Sequence, residues 1–118
     1  MRHSKKKNTL VSKHGGARCV VRNLATSLIM FDSISTTKRK ANAAAMAVDN
    51  LIAYAKKHDS VNAIRKLNSF LYREEACRKV MDILLERYKE RPSGFTSIQR
   101  TKLRRGDGAE EFRVSLMD

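Results

Sequence analysis

Apolar residues recur along this chain at two different spacings, and the change from one to the other near residue 94 divides it. Between residues 17 and 31, Val20, Leu24, Leu28 and Phe31 stand at helical intervals, with Val21 and Ile29 widening the stripe. That spacing predicts an amphipathic helix. The β-branched stretch Ser33-Ile34-Ser35-Thr36 is long enough for one strand. Thr36 or Thr37 then offers an N-cap to a second helix, with Ala41, Ala44, Ala45, Val48, Leu51, Ile52 and Ala55 on one side. It closes on Lys56, Lys57 and His58, which suit the negative end of a helix dipole. Asp59 or Ser60 caps a third helix, with Val61, Ile64, Leu67, Phe70 and Leu71 inward. A fourth runs from about Glu74 to Arg91 on Cys77, Val80, Met81, Leu84 and Tyr88, and Arg91-Pro92-Ser93-Gly94 stops it. From Phe95 to Leu103 no helical stripe is present, and Phe112, Val114 and Leu116 alternate, so two strands are expected. Between them, Asp107-Gly108 predicts a two-residue hairpin turn with positive φ at both positions. The order α-β-α-α-α-β-β is that of a two-layer α+β domain, a small three-stranded sheet packed on helices.

Composition narrows what such a domain does. At 118 residues and 42% hydrophobic content the chain fits one domain with a real core. The longest stretch free of charge, Asn23 to Phe31, falls far short of the ~20 apolar residues of a membrane helix. A soluble, unsecreted protein is expected. Cys19 and Cys77 have no CxxC or Cys/His spacing, so both are expected to be buried, reduced thiols. His3, His14 and His58 show no ligand spacing either, and no metal or cofactor is expected. Met30, Met46 and Met81 lie on or beside apolar stripes and read as packing residues.

Charge changes the picture most. Twenty-five Lys and Arg against 12 Asp and Glu leave a formal net charge of +13, the electrostatic footprint of a polyanion binder. All seven charges before Asp32 are positive: Arg2, Lys5, Lys6, Lys7, Lys13, Arg18 and Arg22. Residues 1–16 lack an apolar period and end in a Gly pair, so they read as a basic arm, disordered when free, ahead of a folded domain at 17–118. Arg18 and Arg22 stand four apart on one helix face, Lys38, Arg39 and Lys40 open the second helix, and Arg100, Lys102, Arg104 and Arg105 cluster toward the hairpin tip. Cations oppose the dipole at a helix start, which favours an external anion at residues 38–40 over a merely solvated turn. The hairpin cations also fit a charged edge that resists aggregation.

Five segments carry a resemblance, in order along the chain: Met1-Arg2-His3, Arg22-Asn23-Leu24-Ala25-Thr26-Ser27-Leu28-Ile29, Ile34-Ser35-Thr36-Thr37, Gly94-Phe95-Thr96-Ser97-Ile98 and Arg104-Arg105-Gly106-Asp107-Gly108-Ala109. Together they resemble the bacterial large-subunit ribosomal protein seventeen family over essentially the whole length. The resemblance implies a structural part of the cytoplasmic ribosome that binds large-subunit ribosomal RNA near the outer rim of the peptide exit tunnel, beside neighbouring ribosomal proteins. It implies no catalysis, and it adds His3 and Asn23 to the cations as expected RNA contacts. This chain departs from the family where Ser4, Asn8, Thr9 and Ser12 interrupt the basic opening, and where Lys38-Arg39-Lys40-Ala41-Asn42 keeps positive charge but loses an acid.

Folded RNA offers phosphates, 2′-hydroxyls and splayed bases, because its deep groove excludes most side chains. Arginine forks grip phosphate bidentately or stack on bases, while lysines act as point charges. An architectural DNA-binding protein is the competing reading, and charge alone allows it. No recognition helix, apolar-wedged ribbon pair or dimerisation pattern supports it, and no homo-oligomer is expected. A nuclease would need clustered carboxylates. Glu74, Glu75, Asp82, Glu86 and Glu90 instead stand where a lattice of helical ion pairs with Arg78, Lys79 and Arg87 accounts for them.

Overall fold

A computed structural model describes residues 16–118, so the expected arm with Arg2, His3, Lys5, Lys6, Lys7 and Lys13 lies outside the described residues. The first apolar stripe forms α1 (Gly16–Phe31), followed by strand β1 (Ser33–Thr36) and the long helix α2 (Lys38–Lys57). Asp32 makes the corner between α1 and β1 with a φ of 65°, a left-handed conformation that Asp tolerates better than most residues. Thr37 and Asp59 stand at the N-cap positions of α2 and α3 (Ser60–Phe70), but neither side chain makes a capping bond. A last helical rod begins as α4 (Glu74–Lys79), widens into a π turn (Val80–Leu84) and closes as α5 (Leu85–Arg87). It ends earlier than its apolar spacing predicts, at a turn that leads into Pro92.

The strands complete one antiparallel sheet in the order β1-β3-β2, with β2 at Thr96–Leu103 and β3 at Glu110–Leu116. Ile34 pairs with Val114 and Val114 with Ile98, so one register row crosses the whole sheet. Period-two alternation turns Val114 and Leu116 toward the helices. Ser33, Ser35, Ser97, Ser115 and Arg113 lie on the other face, where the Ser97 and Ser115 hydroxyls meet at 3.0 Å.

Small residues let α1 and α2 approach closely: Ala25, Ala41, Ala44 and Ala55 are buried between Leu28, Ile29, Val48 and Ile52. At the other end of the core, Tyr88 and Phe95 pack with ring centroids 5.1 Å apart. The Tyr88 hydroxyl donates to the Met117 carbonyl and the Lys56 ammonium to that of Arg91, tying the chain after α5 to both layers. Burial pushes the Tyr88 phenol up from its ordinary value.

Four expectations about the core are corrected. Phe31 is 67% exposed because α1 ends there and turns away at Asp32. Val61 and Ile64 face outward, since α3 packs through Ala63 together with the expected Leu67. Met46 stands exposed on α2. Cys19 is exposed on α1, whereas Cys77 is buried as expected, with its thiol pushed up by burial and then by Glu74 and Asp82.

Candidate nucleic-acid interface

The two arginines of α1 separate in the fold. Arg18 is exposed, but Arg22 turns toward the end of α3, where its Nε donates to the Phe70 carbonyl at 2.7 Å and its Nη2 to the Ser69 carbonyl at 3.2 Å. The last carbonyls of a helix have no partner within it, so this guanidinium completes the C-terminus of α3. Its carbon also lies 4.4 Å from the centre of the Tyr72 ring. Thr26 extends the junction, donating to the Arg22 carbonyl at 2.7 Å and accepting the Tyr72 N–H at 3.3 Å. The Tyr72 phenol is raised, chiefly by a hydrogen bond shared with the Cys19 thiol.

The cations that open α2 are different. Lys38, Arg39 and Lys40 are all exposed, none has a carboxylate partner among the described residues, and the first turn of the helix holds no acid. Asn23 is also exposed, on α1.

Most of the hairpin cations are paired within the hairpin. Arg100 reaches Glu110 at 3.1 Å, Lys102 approaches Glu111 at 4.0 Å and Arg104 meets Asp107 at 2.6 Å. A bulge between Arg100 and Lys102 shifts the register, so that Lys102 stands directly opposite Glu111. Arg105 and Arg113 have no such partner among the described residues. Arg113, in the middle of the central strand, is a cation that the sequence reading missed; the alternation of Phe112, Val114 and Leu116 already assigns it to the face away from the core.

The turn corrects an expectation. Arg104 and Ala109 close a four-residue loop, and positive φ falls at Gly106 (102°) and Gly108 (66°), with no left-handed residue at Asp107. The reason is the Asp107 carboxylate, which accepts the Ala109 N–H at 3.1 Å and both Arg104 donors. Those bonds hold its carboxyl down at about 2 and raise the Arg104 guanidinium above its ordinary value.

At the root of the hairpin, Asp49 of α2 accepts the Phe95 N–H and the Thr96 hydroxyl, each at 3.2 Å. Burial raises its carboxyl and these bonds offset part of the rise. The expected ion-pair lattice on the last helical rod is reduced to Arg78–Glu74 at 2.8 Å. Lys79 reaches across to Asp32 at 2.7 Å instead of pairing along its own helix. Among the described residues, no three His, Cys, Asp or Glu side chains come together as ligands for a metal, and no helix is long and apolar enough to cross a membrane.

A small sheet packed on helices, with exposed cations at the start of α2, on the outer sheet face and at the hairpin tip that have no carboxylate partner among the described residues, makes this a small basic α+β domain. Its sequence narrows this further. Residues 20–117 match the family described as Ribosomal protein L17, and the chain belongs to that family. It is 38% identical over 100 residues, 85% of each chain, to a protein of Endomicrobium trichonymphae named large ribosomal subunit protein bL17. Proteins of the same name match from Acidobacterium capsulatum, at 37% identity over 99% of this chain and 72% of the relative, and from Sulfurimonas denitrificans, at 39% over 98% and 97%. The family is one of ribosomal proteins, structural components and not enzymes.

Proposed function

We propose that this protein is a structural constituent of the large ribosomal subunit of a bacterial cytoplasm, binding large-subunit ribosomal RNA near the outer rim of the peptide exit tunnel and supporting translation. The observation that carries this reading is the family match over residues 20–117, joined by relatives named for the large subunit. The charge distribution supplies the physics. Arg18, Lys38, Arg39, Lys40 and Arg105 are exposed and without carboxylate partners among the described residues, ready to replace the counterions of phosphate. Arg100, Lys102 and Arg104 are held by acids of the hairpin, which fixes their direction before RNA arrives. Residues 1–16, with Arg2, His3, Lys5, Lys6, Lys7 and Lys13, act as a basic arm that threads between RNA helices, while 17–118 form the RNA-binding domain and meet neighbouring ribosomal proteins.

Sucrose-gradient sedimentation of native lysate in magnesium buffer, with mass spectrometry of every fraction, tests this. Stoichiometric migration with large subunits and whole ribosomes, surviving a moderate salt wash, is expected. Sedimentation at the top of the gradient or with chromosomal DNA overturns it, and competition between duplex DNA and ribosomal RNA then tests the architectural alternative.

A further inference from the structure

The charged surfaces leave one part of the molecule unexplained. Where α1, α2 and α3 meet, a solvent-open cleft of about 520 Å³ is walled by Val21, by Ala43, Met46 and Ala47, and by Phe70. Asn50 and Lys66 are the polar side chains at its lining beside Tyr54. Apolar clefts open to water mark places where another molecule docks, and an exposed methionine such as Met46 adapts to varied side chains.

Charge says what kind of molecule. None of the lining residues is acidic. The three helices hold two cations in α1, five in α2 and two in α3, against one acid, Asp49, which bonds to Phe95 and Thr96 at the hairpin root. Arg39 lies one helical turn before Ala43 and Lys57 one turn after Tyr54, so both ends of the α2 wall are positive. The aromatic rings already have partners. Tyr54 stacks on His58 with centroids 3.8 Å apart and has the Lys66 ammonium 5.7 Å from its centre, and the Arg22 guanidinium lies 6.0 Å from that of Phe70. Each ring thus has a cation beside it, and most of the wall is Val, Ala, Leu and Met surface, which offers nothing to a phosphate or a base edge.

We infer that this cleft is a docking site for a segment of a neighbouring protein that inserts apolar side chains and carries acidic residues to the cationic rim. The inference deepens the reading that protein neighbours surround this chain, and its test uses the isolated full chain, so that its failure and a failure to sediment with ribosomes are separate results. Three synthetic helical peptides serve as probes: one with a Leu face and Glu elsewhere, one with Lys in place of Glu, and one with Ser in place of Leu. Each is titrated into isotope-labelled protein at moderate salt while the backbone amide resonances are followed.

The Leu/Glu peptide is expected to move the amides of Ala43, Met46, Ala47 and Tyr54 and to bind at least tenfold more tightly than either control. Asn50→Glu, an exposed change that places an acid at the cleft mouth, is expected to weaken it several-fold while the other resonances stay in place. Equal binding of the Lys or Ser peptide overturns the inference, as do shifts confined to other basic surfaces. Shifts of the cleft amides caused by an RNA hairpin, or by raising the protein's own concentration, assign the cleft to RNA or to a second copy and overturn it equally.

Discussion

Arg22 at the junction of α1 and α3 and Arg105 at the hairpin tip are the same residue type, and their surroundings make them opposites. The fold supplies Arg22 with two helix-end carbonyls and the Tyr72 ring, whereas Arg105 stands on an exposed loop between a self-paired Arg104 and Gly106. A guanidinium is a gripping fork wherever its donors meet acceptors. Whether it grips the protein or a ligand is decided by which acceptors the chain leaves within reach. Net charge counts both alike, and only the tertiary structure separates the cations engaged in the fold from those left for a partner.

The largest effect expected from breaking this contrast is on stability. Arg22→Ala removes two hydrogen bonds from a charged donor and leaves the end of α3 uncovered. Bonds to charged groups contribute roughly 1.5–3 kcal/mol, so a loss of about 2 kcal/mol and a fall in Tm of about 8 °C are expected by thermal unfolding. An unchanged Tm would mean that water caps α3 as well as the arginine does. Arg105→Ala is expected to do the reverse. Tm stays in place, and the log–log salt dependence of binding to large-subunit RNA becomes shallower by about one unit for the lost phosphate contact. Arg104→Ala should change that slope by less, because Asp107 already screens the cation. A larger change at Arg104 than at Arg105 would make the Arg104–Asp107 pair the gripping element of the tip.

Much of this architecture is legible in the sequence, and its failures have a common cause. Every expected element is present in the expected order, although the last helical rod stops at Arg87 and not at Arg91, because a stripe of seven or eight residues such as that of α2 outweighs local ambiguity. Which stripe faces the core was less secure in α3, whose two turns of apolar residues admit two neighbouring faces. Ala63 joins the expected Leu67 in the core in place of Val61 and Ile64, since a small residue permits the closer approach of α3 to the body. The π turn at Val80–Leu84 leaves no trace in the apolar spacing that predicted the helix. Charges were found, but their engagement was not. Arg22 and the Ser69 carbonyl are distant in sequence, and the Lys102–Glu111 pairing depends on a bulge that residue types do not announce. The Asp107-Gly108 signal marked a real turn, but the carboxylate that makes Asp a turn residue also redirected the backbone there.

That carboxylate gives the smallest and most local prediction. Asp107 is held at about 2, below its ordinary 3.8, by Arg104 and then by the Ala109 N–H. A depressed carboxyl favours the folded loop while it is ionised in both folded and unfolded chains, so its contribution is complete above about pH 4 and is lost as pH falls through 2. The Ala109 amide and the Arg104 Nε–H resonances should therefore shift together between pH 4 and pH 2, while signals from Val48 and Ile52 in the core stay sharp. Asp107→Asn abolishes the joint transition and releases Arg104 at every pH. An Asp107 that titrates near its ordinary value would show that the pair does not persist in water. Arg104 would then belong with Arg105 among the cations left for a partner, and the difference in salt slope between the two alanine variants would vanish with it.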